Sequence, residues 1–187
     1  MVKLPENIDE YGFNIENAAS AVDKSVKNNL DILVDQTEKL KECFDRFLVS
    51  DDLRLRDFLL EAMGSYLNHI AQAFRDIIMY ILINQENVGA YEESLGFCVR
   101  KYFTLDIPRT EEAELAAEFL KKRNDLVHDY FNISKENYEL SKFMTSHSNG
   151  FYELAAGLRD YCISQFPMIK MEQNIKKVLK KHVKRHN

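Results

Sequence analysis

The sequence predicts an all-α protein, folded as an up-and-down bundle of four to five helices. Prolines occur only at Pro5, Pro108 and Pro167, so the run from Glu6 to Ile107 contains no helix-breaking proline. Apolar residues also recur at the three-to-four-residue spacing of amphipathic helices, and strand-type alternation is hard to find. A chain of 187 residues is large enough to bury a core of its own.

The first half of the chain predicts two long helices. Helical spacing of apolar residues extends from about Glu16 to Leu48 and predicts the first helix. Ser50-Asp51-Asp52 offers an N-cap and first-turn acids for a second helix that runs to about Asn84. The apolar stripe of this second helix is broad, which indicates burial on more than one side or contact with a partner subunit.

The second half predicts shorter helices separated by turns. A third helix is expected from about Tyr91 to Phe103, and Thr110 is a good cap for the fourth, with acids in its first turn. A fifth helix follows near Ser134. The polar residues 146–150 are typical of a loop, and helical spacing resumes from 151 to 166.

Charge divides the chain into an acidic body and a basic tail. We predict an N-terminal arm (1–15), a helical domain (16–169) and a C-terminal tail (170–187). The tail holds seven Lys/Arg and one Glu, a charge of +6, whereas the chain as a whole carries −5. An acidic body disfavours indiscriminate nucleic-acid binding. The tail itself is compatible with RNA backbone or an acidic partner, although a solubilising end is the favoured interpretation.

The cysteines and the N-terminus bear on cellular location. Cys43, Cys98 and Cys162 are odd in number and far apart, which argues against a disulfide framework and favours a reducing compartment. The N-terminal residues lack the apolar stretch of an export signal, and no run is long enough to span a membrane. We therefore expect a cytoplasmic protein. No phosphate-binding glycine loop, zinc pair or dinucleotide fingerprint is present, so we predict neither a metal nor a cofactor.

One short stretch combines groups that suit phosphodiester chemistry: Arg123-Asn124-Asp125-Leu126-Val127-His128-Asp129-Tyr130-Phe131. Histidine transfers protons near neutral pH, and a guanidinium fits the negative charge that builds on phosphoryl oxygens. Asn124 can hydrogen-bond the imidazole or the phosphate. On one straight helix Arg123 and His128 diverge by about 140°. Either the helix unwinds after His128, or a second copy of the chain completes the site.

A purely structural interpretation of this stretch stays open. Arg123 can pair with an acid such as Glu118 or Asp125. His128 can lie near a helix C-terminus, where a positive charge is favoured. Taken without any family resemblance, such a cluster is more often a capping and salt-bridge arrangement than a catalytic site.

The order Arg, four residues, His, one residue, Tyr resembles the signature of the HEPN superfamily. The chain looks most like the HepT toxins, small all-helical ribonucleases encoded beside an MNT-type nucleotidyltransferase. The resemblance covers about residues 20–165, with a specific core at 120–136, and departs from HepT in the arm, the residues 145–150 and the tail.

This resemblance implies a homodimer in which paired motifs face one cleft. It implies a metal-independent endoribonuclease toxin with Arg123, Asn124 and His128 as catalytic residues. It also implies that the partner transferase adenylylates Tyr130. The alternative is a catalytically inactive HEPN module that binds RNA or nucleotide, or scaffolds a partner protein.

Overall fold

This computed structural model describes residues 15–86, 94–127 and 133–166, with side chains over 26–85, 94–122 and 138–166. The described residues are all-helical and contain no strand, which confirms the predicted fold class. Six helices occur in this order: α1 (Ile15–Val49), α2 (Leu53–Glu86), α3 (Leu95–Tyr102), α4 (Glu111–Val127), α5 (Ile133–Ser146) and α6 (Gly150–Gln165). The sequence predicts four to five helices, and the described residues form six because the polar residues near 147–149 separate α5 from α6. The predicted arm, apart from Ile15, and the basic tail lie outside the described residues.

Helices α1 and α2 form a long antiparallel hairpin. Asp52 caps α2, since its Oδ1 accepts hydrogen bonds from the backbone N–H groups of Arg54 (2.9 Å) and Leu55 (3.3 Å). Cys43 Sγ donates to the Leu59 carbonyl at 3.3 Å near the turn. The broad apolar stripe of α2 is buried on more than one side, because this helix packs against α1, α3 and α5.

Helix α3 is short and begins later than the sequence predicts. Ser94 has extended backbone angles (φ −69°, ψ 143°) and its side chain accepts from the Phe97 N–H, so the helix starts at Leu95. Tyr102 packs edge-on against Phe74 of α2, with ring centroids 5.6 Å apart. Arg109 then donates from Nη1 to the carbonyls of Tyr102 and Leu105, both at 2.9 Å, and ties the loop before α4 to α3.

Helices α4 and α6 pack together closely. Thr110 caps α4 as predicted, because its Oγ1 accepts from the Ala113 N–H at 3.2 Å. Small residues of α4, Ala113, Ala116 and Ala117, are buried where α6 crosses it. A Cβ on Gly157 of α6 would lie 2.7 Å from the Pro108 carbonyl oxygen, so this close approach requires glycine.

All three cysteines are buried, and none of them forms a disulfide. Burial raises the pKa of the Cys43 thiol, and it raises the pKa of the Cys162 thiol to about 12. Among the helices that the structure describes, none combines the length and the apolar character needed to cross a membrane.

Candidate functional site

The predicted catalytic stretch begins within the last described turns of α4. The backbone of Arg123 and Asn124 belongs to this helix, which is described to Val127. The side chains of Arg123 and Asn124 lie outside the described residues, as do the whole of His128 and Tyr130. The meeting of these four groups at one phosphate therefore stays a prediction.

A groove between α4 and α5 is lined in part by the residues of α4 that come just before this stretch in sequence. It has a volume of about 480 Å³ and is lined by Leu115, Glu118, Phe119, Lys121, Lys122, Phe143 and His147. A smaller cavity of about 220 Å³ shares four of these residues and adds Glu139, Lys142 and Ser146. We call the two together the α4–α5 groove. Because Lys121 and Lys122 immediately precede Arg123, the groove comes within about one helical turn of the motif.

Lysines give this groove an excess of positive charge. Lys121, Lys122 and Lys142 line it against the carboxylates of Glu118 and Glu139. Lys122 Nζ lies 3.7 Å from Glu139 Oε2, and 65% of the lysine side chain is exposed. An exposed ion pair of this length contributes little stability. Lys122 can therefore exchange its carboxylate for a phosphate at small cost.

Aromatic rings form one wall of the groove. Phe119 of α4 stacks on Phe143 of α5, with ring centroids 4.5 Å apart and an interplanar angle of 29°. The His147 ring lies 5.2 Å from Phe143. Phe119, Phe143 and His147 are all half-buried, so part of each ring remains exposed to solvent. Such surfaces suit stacking of nucleic-acid bases.

His147 is held in this wall by a carboxylate from the start of α4. Its Nδ1 lies 3.1 Å and 3.2 Å from the two carboxylate oxygens of Glu112. An ionised carboxylate only accepts hydrogen bonds, so Nδ1 carries the proton and the orientation of the ring is fixed. The sequence interpretation treated His147 as a loop residue and Glu112 only as a helix-start acid. Their contact spans 35 positions, and no local pattern signals it.

Comparison of the chain with protein-family models, with curated proteins and with solved structures finds no match. The resemblance to the HEPN superfamily accordingly rests on the Arg123-x4-His128-x-Tyr130 pattern and its surroundings. Those surroundings are the neighbouring residues 120–136 of the sequence, in a chain that is all-helical over the described residues.

Proposed function

We propose that the protein is a metal-independent endoribonuclease of the HEPN type, acting as a homodimeric cytoplasmic toxin of a HEPN/MNT toxin–antitoxin pair. The observation that carries this proposal is the Arg123-x4-His128-x-Tyr130 pattern in the sequence, whose first residues belong to α4. Two properties of the described residues support it: the all-α fold, and a groove lined by Lys121 and Lys122, just before Arg123, that offers cations and aromatic surfaces.

The reaction needs only side chains of the motif. His128 takes the proton from a ribose 2′-OH, and the oxygen attacks the adjacent phosphorus. The O2′–P bond forms as the P–O5′ bond breaks, and a second histidine protonates the leaving 5′ oxygen. Arg123 stabilises the phosphoryl oxygens and Asn124 orients the reacting groups. Two chains supply the two copies of His128, one as base and one as acid.

The α4–α5 groove gives the substrate a place next to this chemistry. Lys121, Lys122 and Lys142 attract the phosphates that flank the cleaved bond, and the exposed edges of Phe119 and Phe143 make edge-to-face contacts with a base. A volume of about 480 Å³ is of the order of a small-molecule site, so the groove accommodates a nucleotide unit and not a duplex. RNA is therefore bound locally and the acidic remainder of the surface repels it.

Regulation follows from the same motif. Adenylylation of Tyr130 by an MNT-type nucleotidyltransferase would add a bulky group with a negative phosphate two residues from His128. That phosphate competes with the substrate for Arg123 by charge and by volume. The transferase therefore acts as the antitoxin.

The test is RNA cleavage by the purified full-length chain in the presence of EDTA. Loss of a general acid–base typically lowers the rate by about 10²–10⁴-fold, so we expect His128→Ala to do so and Arg123→Ala to show a comparable loss. His69→Ala is the matched control, because His69 is exposed on α2 and hydrogen-bonds Gln36 at 3.2 Å, on another helix pair. Circular dichroism verifies that each variant keeps its helices.

Three other results contradict the proposal. Equal cleavage by wild type and His128→Ala would indicate a contaminating nuclease or another site, and cleavage that stops in EDTA would indicate a metal. RNA binding without cleavage would support the inactive HEPN module instead.

A further inference from the structure

A second groove lies between α1 and α6, on the other side of the α5–α6 turn. Its volume is about 510 Å³, and it is lined by Thr37, Glu38, Lys41, Glu42, Asp45, Ser148, Asn149, Tyr152 and Glu153. The α1 members recur at helical spacing and form one stripe, which faces the first turn of α6. We call it the α1–α6 groove.

This groove is strongly acidic. Four carboxylates line it, from Glu38, Glu42, Asp45 and Glu153, against the single ammonium of Lys41. Lys41 Nζ donates to Asn149 Oδ1 at 2.8 Å, so its hydrogen bond goes to an amide across the groove. The lining residues therefore carry a charge of −3, and the groove suits a ligand with several positive charges.

A second, independent feature of this groove is a buried hydroxyl that lacks a hydrogen-bond partner among the described residues. Thr37 is only 4% exposed and lines the groove. Its Oγ1 has no hydrogen-bond partner within the part of the chain that the structure describes. Buried polar side chains are normally paired, so an unpaired hydroxyl at a groove indicates a partner that approaches from the groove. The half-exposed ring of Tyr152 adds a surface on which a cation is favoured.

We propose that the α1–α6 groove binds the chain's own basic segment, residues 170–187, through its lysine ammonium groups. This segment carries +6, opposite in sign to the groove. Its lysines also come in pairs, Lys176 with Lys177 and Lys180 with Lys181, which suits several carboxylates close together. The inference does not depend on the nuclease proposal.

The length of the chain permits this contact. Helix α6 has 16 residues and is about 24 Å long, and the groove lies at its first turn. Phe166 lies at the other end, against Tyr80 of α2, with ring centroids 4.9 Å apart. Ten further residues extend over at most about 35 Å, so a segment that turns back along α6 brings Lys176 and the later lysines to the groove.

Zero-length carbodiimide cross-linking of the full chain tests the proposal, because the reagent joins a lysine to a carboxylate only in direct contact. An equal mixture of ¹⁵N-labelled and unlabelled protein is cross-linked, digested and analysed by mass spectrometry. We expect lysines 176–184 to join mainly to Glu38, Glu42, Asp45 or Glu153, with the same isotope in both peptides. The yield of these cross-links should fall severalfold at about 0.5 M salt, because salt screens the attraction between the lysines and the carboxylates.

Two sets of variants sharpen the test. Glu38→Gln with Glu42→Gln should lower the remaining cross-links to Asp45 and Glu153 at least twofold, and Thr37→Val should lower the yield as well. The matched control is Asp57→Asn with Glu61→Gln, which removes two exposed carboxylates from α2 and should leave the yield unchanged.

Several outcomes would overturn the proposal. Cross-links spread evenly over exposed acids would show no preference for the groove. Peptide pairs of mixed isotope would place the segment on a neighbouring chain. Loss of RNA affinity in a full chain whose segment lysines are changed to Gln, with no groove cross-links in the wild type, would assign the segment to RNA.

Discussion

Two grooves on either side of one turn differ in the sign of their charge. His147, the residue after α5, lines the α4–α5 groove, whereas Ser148 and Asn149 line the α1–α6 groove. The first groove has three lysines against two carboxylates, and the second has four carboxylates against one lysine. A net charge of −5 for the whole chain conceals this contrast. Local charge, and not the total, decides where a phosphate or an ammonium group is attracted.

The two grooves share one support, which is the start of α6. Phe151 is buried beneath this turn, and its ring lies 6.2 Å from Phe119 and 5.3 Å from Phe143. The next two residues in sequence, Tyr152 and Glu153, line the α1–α6 groove together with Glu38 and Glu42. A change at Phe151 should therefore disturb both grooves, whereas a surface change should affect only one.

The largest effect is expected from Phe151→Ala. Truncating a fully buried aromatic side chain removes its burial and leaves a cavity, so the free energy of unfolding should fall by about 3–5 kcal/mol. Tyr152→Ala is the matched control, because that ring is 50% exposed and should cost much less. Denaturant unfolding curves measure both. Equal losses for the two variants would contradict the assignment of Phe151 as the shared support.

Alkaline pH should weaken the helical core away from the α5–α6 turn, at Cys162 in the last turn of α6 and at Tyr102 of α3. Burial raises the pKa of the Cys162 thiol from 9.0 to about 12, and that of the Tyr102 hydroxyl from 10.0 to about 12. Because the folded values lie above the unfolded ones, this stability is complete below about pH 9 and is lost as the pH rises towards 12. At about pH 10.5 the thiol alone should lower the free energy of unfolding by about 2 kcal/mol. Cys162→Ala should flatten this part of the pH profile, and an unchanged profile would exclude the thiol as its cause.

Gly157→Ala should displace α6 without changing any charge. The added Cβ would meet the Pro108 carbonyl oxygen at 2.7 Å, so we expect a loss of about 1–3 kcal/mol. Gly96→Ala in α3 is the control, since its nearest atom is Arg100 Nη1 at 3.7 Å, the end of a flexible side chain. That variant should gain about 0.5 kcal/mol. Thermal unfolding distinguishes the two, and a shift of the same sign in both would contradict the close contact at Pro108.

The smallest expected effect concerns charge alone. Lys121→Gln with Lys122→Gln should lower RNA affinity and reduce the salt dependence of log K by about 0.7 for each lysine that contacts phosphate. Glu38→Gln with Glu42→Gln, in the other groove, should leave that slope unchanged. Fluorescence anisotropy of a labelled RNA at several salt concentrations measures both. If both double variants change RNA affinity and its salt dependence equally, RNA does not prefer the α4–α5 groove over the α1–α6 groove.

The sequence predicts the scaffold well because helix signals are local. Apolar spacing predicts α1 and α2 to within about two residues, and the cap of α4 at Thr110 is confirmed. At the start of α2 the predicted run Ser50-Asp51-Asp52 does supply the cap, which is Asp52, but the predicted first-turn acids are wrong because the first turn of α2 contains none. The polar residues 146–150 indeed separate two helices. The sequence predicts too early a start for α3, because the helical spacing of apolar residues extends to the N-terminal side of Ser94. The extended backbone of Ser94 makes the helix begin at Leu95.

The grooves, by contrast, depend on contacts that no local pattern encodes. Glu112 and His147 are 35 residues apart, and Lys41 and Asn149 are 108 apart. Helical periodicity assigns Lys41 and Glu112 to helix surfaces, and the polar run 146–150 assigns His147 and Asn149 to a loop. Neither pattern says which groove these side chains face. The motif chemistry is predicted from residue types together with the resemblance to the HEPN superfamily, and its assembly around His128 and Tyr130 stays a prediction.

The most direct test of the nuclease proposal uses two RNA substrates that differ in one oxygen. After the cleavage position is mapped in EDTA, a substrate with a single 2′-deoxyribose on the 5′ side of that bond is compared with the all-ribose RNA. Attack by the 2′-OH predicts that the ribose substrate yields 2′,3′-cyclic phosphate and 5′-hydroxyl ends, and that the deoxy substrate is not cut at that bond. Equal cleavage of both substrates, or products with 5′-phosphate ends, would contradict the proposed chemistry.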